Sequence, residues 1–401
     1  MNFRKPLLDE YNIGAIVLAN YGLCVDEVEK INRGMMSNCY KIFAGGKQYF
    51  LKEPLIDVSK ISIEEEAQLT YYLKSQLIPV AEFIKTLEGK WSFEYRGRYI
   101  SLQEYIDGNQ YRTFELPEKF LLPSLDMLGQ IDKSLANYEP ELKTKWDLHY
   151  CEAYDEAEIV RKLEDEMRAI AASGLDFDKR LKLEKAVEYV AALQPRMKEF
   201  GRYFKYTTYT GTHGDYHAGN IIYGESEILA VIDSNKSSRK PAIINLMHFY
   251  TKASHECKRV SSIDVTKLAE GMRAYERHVP LTYYDYKFMP YIYLHLLVRF
   301  SLPNRIRRCV QYSKFGNDRL AKGSMRGLMW NLRLARYLNA NADIISRKLE
   351  KHYEQNLSKD ELKQHRRWLY KQESAFRRRR LFRKVVPLWI RRAGRKVLSD
   401  N

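Results

Sequence analysis

One stretch of the chain gathers the residue types that move phosphate. It runs Gly211-Thr-His-Gly-Asp-Tyr-His-Ala-Gly-Asn-Ile-Ile-Tyr223 and is followed by Ala230-Val-Ile-Asp-Ser234. Asp215, Asn220 and Asp233 each stand beside a turn or at the end of a short apolar run. A carboxylate can orient an attacking hydroxyl and accept its proton. An amide and a second carboxylate supply the oxygen ligands of a magnesium ion that bridges nucleotide phosphates. An Asp, Asn, Asp set at this spacing therefore points to phosphoryl transfer.

The pattern His213-Gly-Asp215-x4-Asn220, then Val231-Ile-Asp233, resembles the catalytic loop and metal-binding aspartate of the aminoglycoside phosphotransferase and choline kinase group, relatives of the protein kinases. The resemblance implies Asp215 as catalytic base, Asn220 and Asp233 as magnesium ligands, His213 as a prop of the loop, and ATP with Mg2+ as cofactors. His217 either contacts substrate or packs. The same family needs a strand lysine on the nucleotide phosphates and a helical glutamate to hold it. Lys52 ends the run Gln48-Tyr-Phe-Leu-Lys52, and Glu66 follows in the next helix, with Glu64 and Glu65 as rivals of unfixed register. Gly34, in Asn32 to Tyr40, would cover the nucleotide, and the backbone of Glu104 to Ile106 would meet the base edge.

Where the family usually has acidic residues that brace the catalytic loop, this chain has Lys240 and Asn245. Basic residues beside the site suit an acidic or phosphorylated acceptor, which makes Lys236, Arg239 and Lys240 the substrate candidates. The activity implied is transfer of the γ-phosphate of ATP to a hydroxyl of a small molecule or glycan. The texture of Leu18-Ala-Asn-Tyr-Gly22 and Phe50-Leu-Lys52-Glu53 also resembles spore-coat kinase-like proteins, which implies the alternative of a catalytically inactive scaffold or surface-assembly protein.

The elements that must position these residues are legible as patterns. Val25 to Ile31, Cys39 to Phe43 and Gln48 to Leu51 read as strands, the last two joined by a Gly45-Gly46 hairpin. Residues 62 to 77 read as a helix with Ser62 as its cap, and further strands flank Tyr95-Arg96-Gly97-Arg98. Beyond Leu116 the periodicity is helical: Phe120 to Asn137, Glu152 to Ala172, and Asp178 to Leu193, where Pro195 should end the helix. Two short buried strands, Ile221 to Tyr223 and Ile228 to Ile232, interrupt the helices. With the resemblance, this predicts an α+β, bilobed protein-kinase-like fold: an antiparallel sheet with one helix over residues 1–107, a helical catalytic and substrate lobe over 108–325, and a basic helical extension over 326–401.

Composition sets the outer bounds. The 401 residues are 45% hydrophobic and 29% charged, the balance of a globular chain rather than a collagen-like, wholly disordered or multi-span membrane one. The net charge of +16 is uneven, because Arg377 to Asn401 holds ten Lys or Arg against one Asp. Phe382, Val386, Trp389, Ala393 and Val397 recur there at helical spacing, so this tail could lie on an anionic membrane surface, with Pro387 as an interruption. No recognised nucleic-acid module accompanies the charge. Five scattered cysteines without a C-x-x-C pair argue against a disulfide framework or a zinc site. Without a visible signal peptide or membrane span, the expected location is the cytoplasm, with peripheral membrane contact through the tail.

Overall fold

In the computed structural model of the chain, the residues described are 4–31, 37–56, 58–140, 142, 154–259, 262–314, 316 and 318–371. The first lobe rests on one antiparallel sheet. Its strands β1 (Val25–Ile31), β2 (Ser37–Ala44), β3 (Lys47–Pro54), β4 (Phe93–Tyr95) and β5 (Arg98–Glu104) stand in the order β1-β2-β3-β5-β4. β2 and β3 pair through Ala44 and Lys47 across Gly45-Gly46, whose φ angles of 57° and 72° lie in the left-handed region. A two-residue hairpin needs that conformation at both positions, and a side chain resists it.

Alternation along β3 decides what each residue faces. Tyr49 and Leu51 join a core with Tyr40, Ile42, Ile100 and Leu102. The apolar run near the N-terminus folds as α1 (Ile13–Tyr21) and lays Ile13, Val17 and Tyr21 on that core. Glu53 shares this buried face and has no exposure. Its carboxylate accepts from the backbone N–H groups of Leu7 (2.8 Å) and Leu8 (3.2 Å) and from Asn38 Nδ2 (2.9 Å), and it pairs with the Arg98 guanidinium. Lys52, one residue earlier, takes the opposite face. α2 (Lys60–Ser75) is capped by Ser59, whose Oγ accepts from the Ser62 N–H at 3.2 Å; the cap is three residues earlier than the sequence pattern indicates.

The second lobe is helical: α3 (Leu121–Ala136), α4 (Glu156–Ala171), α5 (Phe177–Phe200), α6 (Ala242–Ala253), α7 (Val265–Glu276), α8 (Tyr283–Leu296), α9 (Leu302–Lys314) and α10 (Asp318–Gln355). α5 runs through Pro195 to Phe200. The buried stripe Leu193, Met197, Phe200 continues past the proline, and its packing outweighs a lost helical hydrogen bond costing about 3 kcal/mol. Two small ladders, β6 (Tyr209–Thr212) with β9 (Ser238–Pro241) and β7 (Ile221–Tyr223) with β8 (Ile228–Val231), carry the loops between them.

The chain passes between the lobes at Asp107–Asn109. A Cβ on Gly108 would lie 2.6 Å from Ile222 Cγ2 and 2.8 Å from the Tyr223 carbonyl oxygen, so a glycine lets β7 approach. Asn109 and Tyr223 then exchange backbone hydrogen bonds of 2.8 and 2.9 Å. The chain divides into two units after Leu349. Residue 326 lies inside α10, so no element break marks it. In the second unit, Ser358 and Glu361 form a reciprocal cap on a helix over 359–371. The basic run from Phe376 to Leu398 lies outside the described residues. Among those described, no helix is long and apolar enough to cross a membrane.

Candidate active site

β3 delivers Lys52 to the face where the lobes meet, and its Nζ donates to Asp233 Oδ1 at 2.5 Å. α2 brings Glu66, the buried one of the three glutamates in its first turns. Burial disfavours the Lys52 ammonium, but the Glu66 and Asp233 carboxylates outweigh it and hold its pKa above the ordinary lysine range. Burial pushes the Glu66 carboxyl up, and the Lys52 charge opposes that. The lysine therefore contacts the aspartate directly, whereas sequence pairing assigned it to Glu66.

The loop that carries His213, Asp215 and His217 is set by β6 and by the turn Ala218–Asn220 that starts β7. His213 is fully buried, and its Nε2 lies 3.1 Å from the Ile232 carbonyl oxygen, which can only accept. Burial lowers its pKa to about 4, so it is a neutral tie between the loop and the residue before Asp233. Gly214 has φ 84°, and a Cβ there would lie 1.8 Å from the Lys236 carbonyl oxygen. That close approach lets the Lys236 ammonium pair with Asp215. His217 Nε2 stands 3.9 Å from the other Asp215 oxygen, and its Nδ1 accepts from the Gly219 N–H at 3.1 Å. Burial raises the Asp215 pKa, but Lys236, then His217 and His248, bring it down to about 2. Asp215 is a carboxylate at any physiological pH.

Asn220 donates from Nδ2 to the Asp215 carbonyl oxygen at 3.0 Å, which leaves Oδ1 as its free ligating atom. Its own carbonyl accepts from the Ile232 N–H at 3.0 Å, so the chain is stitched next to Asp233. Asp233 has φ 62°, an uncommon left-handed conformation for a residue with a side chain and one that concentrates at functional sites. Its carboxyl is held low: burial raises it, and Lys52 and Lys236 more than compensate. Among the described residues there is no cluster of three or more His, Cys, Asp or Glu suited to a metal. One amide oxygen and one ionised carboxylate instead fit a hard cation that completes its shell with phosphate and water. At the hinge, the Glu104 and Tyr105 N–H groups are committed to the Glu82 (2.8 Å) and Gln48 (3.2 Å) carbonyls. The Glu104 N–H is thus unavailable, and the Ile106 N–H is the donor the hinge can offer. Gly34 lies outside the described residues.

A family model for a phosphotransferase enzyme family matches residues 27–259 of the chain, more than half its length. The chain belongs to this phosphotransferase family. Solved structures share its fold: a spectinomycin phosphotransferase in complex with ADP and spectinomycin matches with a TM-score of 0.61 at 16% identity, over 84% of this chain and 100% of that one. An amicoumacin kinase in complex with AMP-PNP, Ca2+ and Ami matches with a TM-score of 0.53 at 15% identity, over 80% and 94%. A choline kinase from Cryptosporidium parvum matches with a TM-score of 0.52 at 13% identity, over 85% and 98%. No curated protein matches the chain.

Within this phosphotransferase the loop is braced by donors instead of acids. Lys240 is buried, with Nζ 3.5 Å from the Gly214 carbonyl oxygen, and Ser237 Oγ donates to the His213 carbonyl at 3.3 Å. Burial lowers the Lys240 pKa to about 8 against the pull of the buried Asp132. Lys240 is therefore a support beneath the loop, which corrects its assignment as an acceptor contact. Arg239 is exposed on β9, where it pairs across to Gly211. Lys236 alone of the three reaches the Asp215 carboxylate. Sequence reading passed over His248, Lys252 and Arg305. They stand on two helices far along the chain, and their one visible signal is the spacing of His248 and Lys252, a helical turn apart in a mostly apolar segment.

Proposed function

We propose that the protein transfers the γ-phosphate of ATP to a hydroxyl of a small molecule or glycan. The observation that carries this reading is the set of contacts Lys52–Asp233 (2.5 Å), Asn220–Asp215 (3.0 Å) and Lys236–Asp215. Those residues are the donors, acceptors and charges that phosphoryl transfer needs, gathered from both lobes. Lys52 would hold the α and β phosphates, with Glu66 steadying its charge. Ile106 N–H and the Glu104 carbonyl would meet the base edge. Asn220 Oδ1 and Asp233 would hold Mg2+, which when bound neutralises charge on the phosphates. The solved relatives with ADP, or with AMP-PNP and Ca2+, support nucleotide use in this fold.

Asp215, with a pKa near 2, is a weak base. It orients the hydroxyl and takes the proton late, as the new O–P bond forms, in keeping with a loose transition state. Lys236, paired with it, is placed to offset negative charge on the transferring group. The test is transfer of labelled γ-phosphate from ATP to a panel of polyols, sugars and amino-sugars. Wild type should label at least one, and Asp215→Ala none, with ATP binding intact. A wild type that binds ATP with Mg2+ and labels nothing across the panel would favour the inert scaffold instead.

A further inference from the structure

His248 and Lys252 occupy one face of α6, which packs against β6 and the Ala218–Asn220 turn. Lys252 Nζ lies 2.8 Å from His248 Nε2, so the lysine donates and the imidazole is neutral with its proton on Nδ1. Arg305 comes from α9 and is half-buried, and a Cβ on Gly327 of α10 would lie 2.1 Å from its Nη1, so that glycine makes room for the guanidinium. Among the described residues, neither Lys252, His248 nor Arg305 has a carboxylate within ion-pair distance, and Arg305 makes no hydrogen bond. α6 lies against the turn that follows Asp215, and the Asp215 charge acts on both Lys252 and His248, while the Arg305 charge bears on Lys252. Half-buried cations that repel one another and lack an ion-pair partner cost stability. A fold gains nothing from them unless an anion uses them.

We propose that the acceptor is an anionic sugar or polyol whose phosphate or carboxylate is held by Lys252 and Arg305, with His248 orienting the lysine, while its hydroxyl faces Asp215. This rests on the phosphotransferase reading above. Arg305 offers a planar fork of donors that matches phosphate or carboxylate, and Lys252 adds a second positive charge that suits a dianion. Aminoglycosides, being polyamines, would meet cations of their own sign here. The group transferred is unchanged: the acceptor oxygen bonds to the γ-phosphorus, the bond to ADP breaks, and the hydroxyl proton passes to Asp215.

The experiment compares matched acceptors: glucose with glucose 6-phosphate and glucuronate, glycerol with glycerol 3-phosphate, and spectinomycin as the cationic member. Labelled transfer should favour an anionic member at least about tenfold in kcat/KM, and whether phosphate or carboxylate wins identifies the source of the charge. The preference should collapse through KM in Lys252→Met and Arg305→Gln, with Arg305→Lys retaining part of it. Preference for the neutral or cationic member, or a preference unmoved by both variants, would overturn the proposal. Should none be labelled, thermal stabilisation by glucose 6-phosphate over glucose, with the nucleotide site filled by AMP-PNP and Mg2+, decides: a shift in wild type lost in both variants supports the subsite, and none overturns it. AMP-PNP stabilisation retained in the variants shows that they fold. If wild type fails to bind AMP-PNP, the phosphotransferase reading falls, and the anion titration without nucleotide still judges the Lys252 and Arg305 subsite.

Discussion

Lys52 and Glu53 are neighbours on β3, yet the two charges lead opposite lives. Glu53 turns into the core, where the Leu7 and Leu8 amides, Asn38 and Arg98 satisfy its carboxylate. Lys52 turns to the meeting of the lobes and joins Asp233, Glu66 and, through Asp233, the electrostatics of Asp215. The first network is closed: the described polar groups cancel within the protein, and it ties the N-terminal segment to the sheet. The second is open: Lys236 pairs with Asp215, while Lys252 and Arg305 have no ion-pair partner among the described residues. A buried charge that is fully partnered is a fastening, and a set left unbalanced beside strained backbone is equipment for a ligand.

Breaking the open network should cost chemistry, and breaking the closed one should cost stability. The largest effect expected is on Asp215→Asn, which should lower phosphoryl transfer by about 10²–10⁴ with nucleotide affinity preserved, read by single-turnover labelling beside a binding titration. Arg98→Met leaves Glu53 buried without its cation and should cost about 3–5 kcal/mol in denaturant unfolding, while activity per folded molecule is unchanged. Gly214→Ala forces a Cβ against the Lys236 carbonyl at positive φ. Strain of about 1–3 kcal/mol should appear as slower transfer and a lower midpoint together.

The smallest effect carries the opposite sign and sharpens the comparison most. Burial lowers the Lys240 and Lys252 pKa values to about 8, below the usual 10.5. The unfolded chain therefore binds more protons than the folded one between roughly pH 8 and 10.5, so this pair's contribution to stability rises with pH across that window. Below it, the charged lysines are a standing cost. Lys252→Met should then stabilise the protein at pH 7 by on the order of 1 kcal/mol after solvent screening and flatten the alkaline rise, while weakening anionic acceptors. Loss of stability in Lys252→Met would place it in the class of Glu53, a structural charge.

Much of the site was readable because its parts are local. The Gly45-Gly46 hairpin fixes the face that Lys52 takes on an alternating strand, and the spacing of Asp215, Asn220 and Asp233 is that of two adjoining turns on short ladders. Glu66 needed the rotation of α2, which a composition of three successive glutamates leaves open. Pro195 misled because tertiary packing of Leu193, Met197 and Phe200 carries α5 past it. Lys240 misled because a basic residue near a catalytic loop reads the same whether it points to solvent or beneath the loop. His248, Lys252 and Arg305 were invisible as a group, since they come from two separate helices far apart in the chain, and the room for Arg305 depends on Gly327 of α10.

The central claim is most directly tested by calorimetric titration of ATP into wild type and Asp233→Ala, each with and without Mg2+. Wild type should bind ATP more tightly with Mg2+ than without, and Asp233→Ala should lose that Mg2+ dependence. Absence of nucleotide binding in wild type, or binding that neither Mg2+ nor the substitution alters, would contradict the claim.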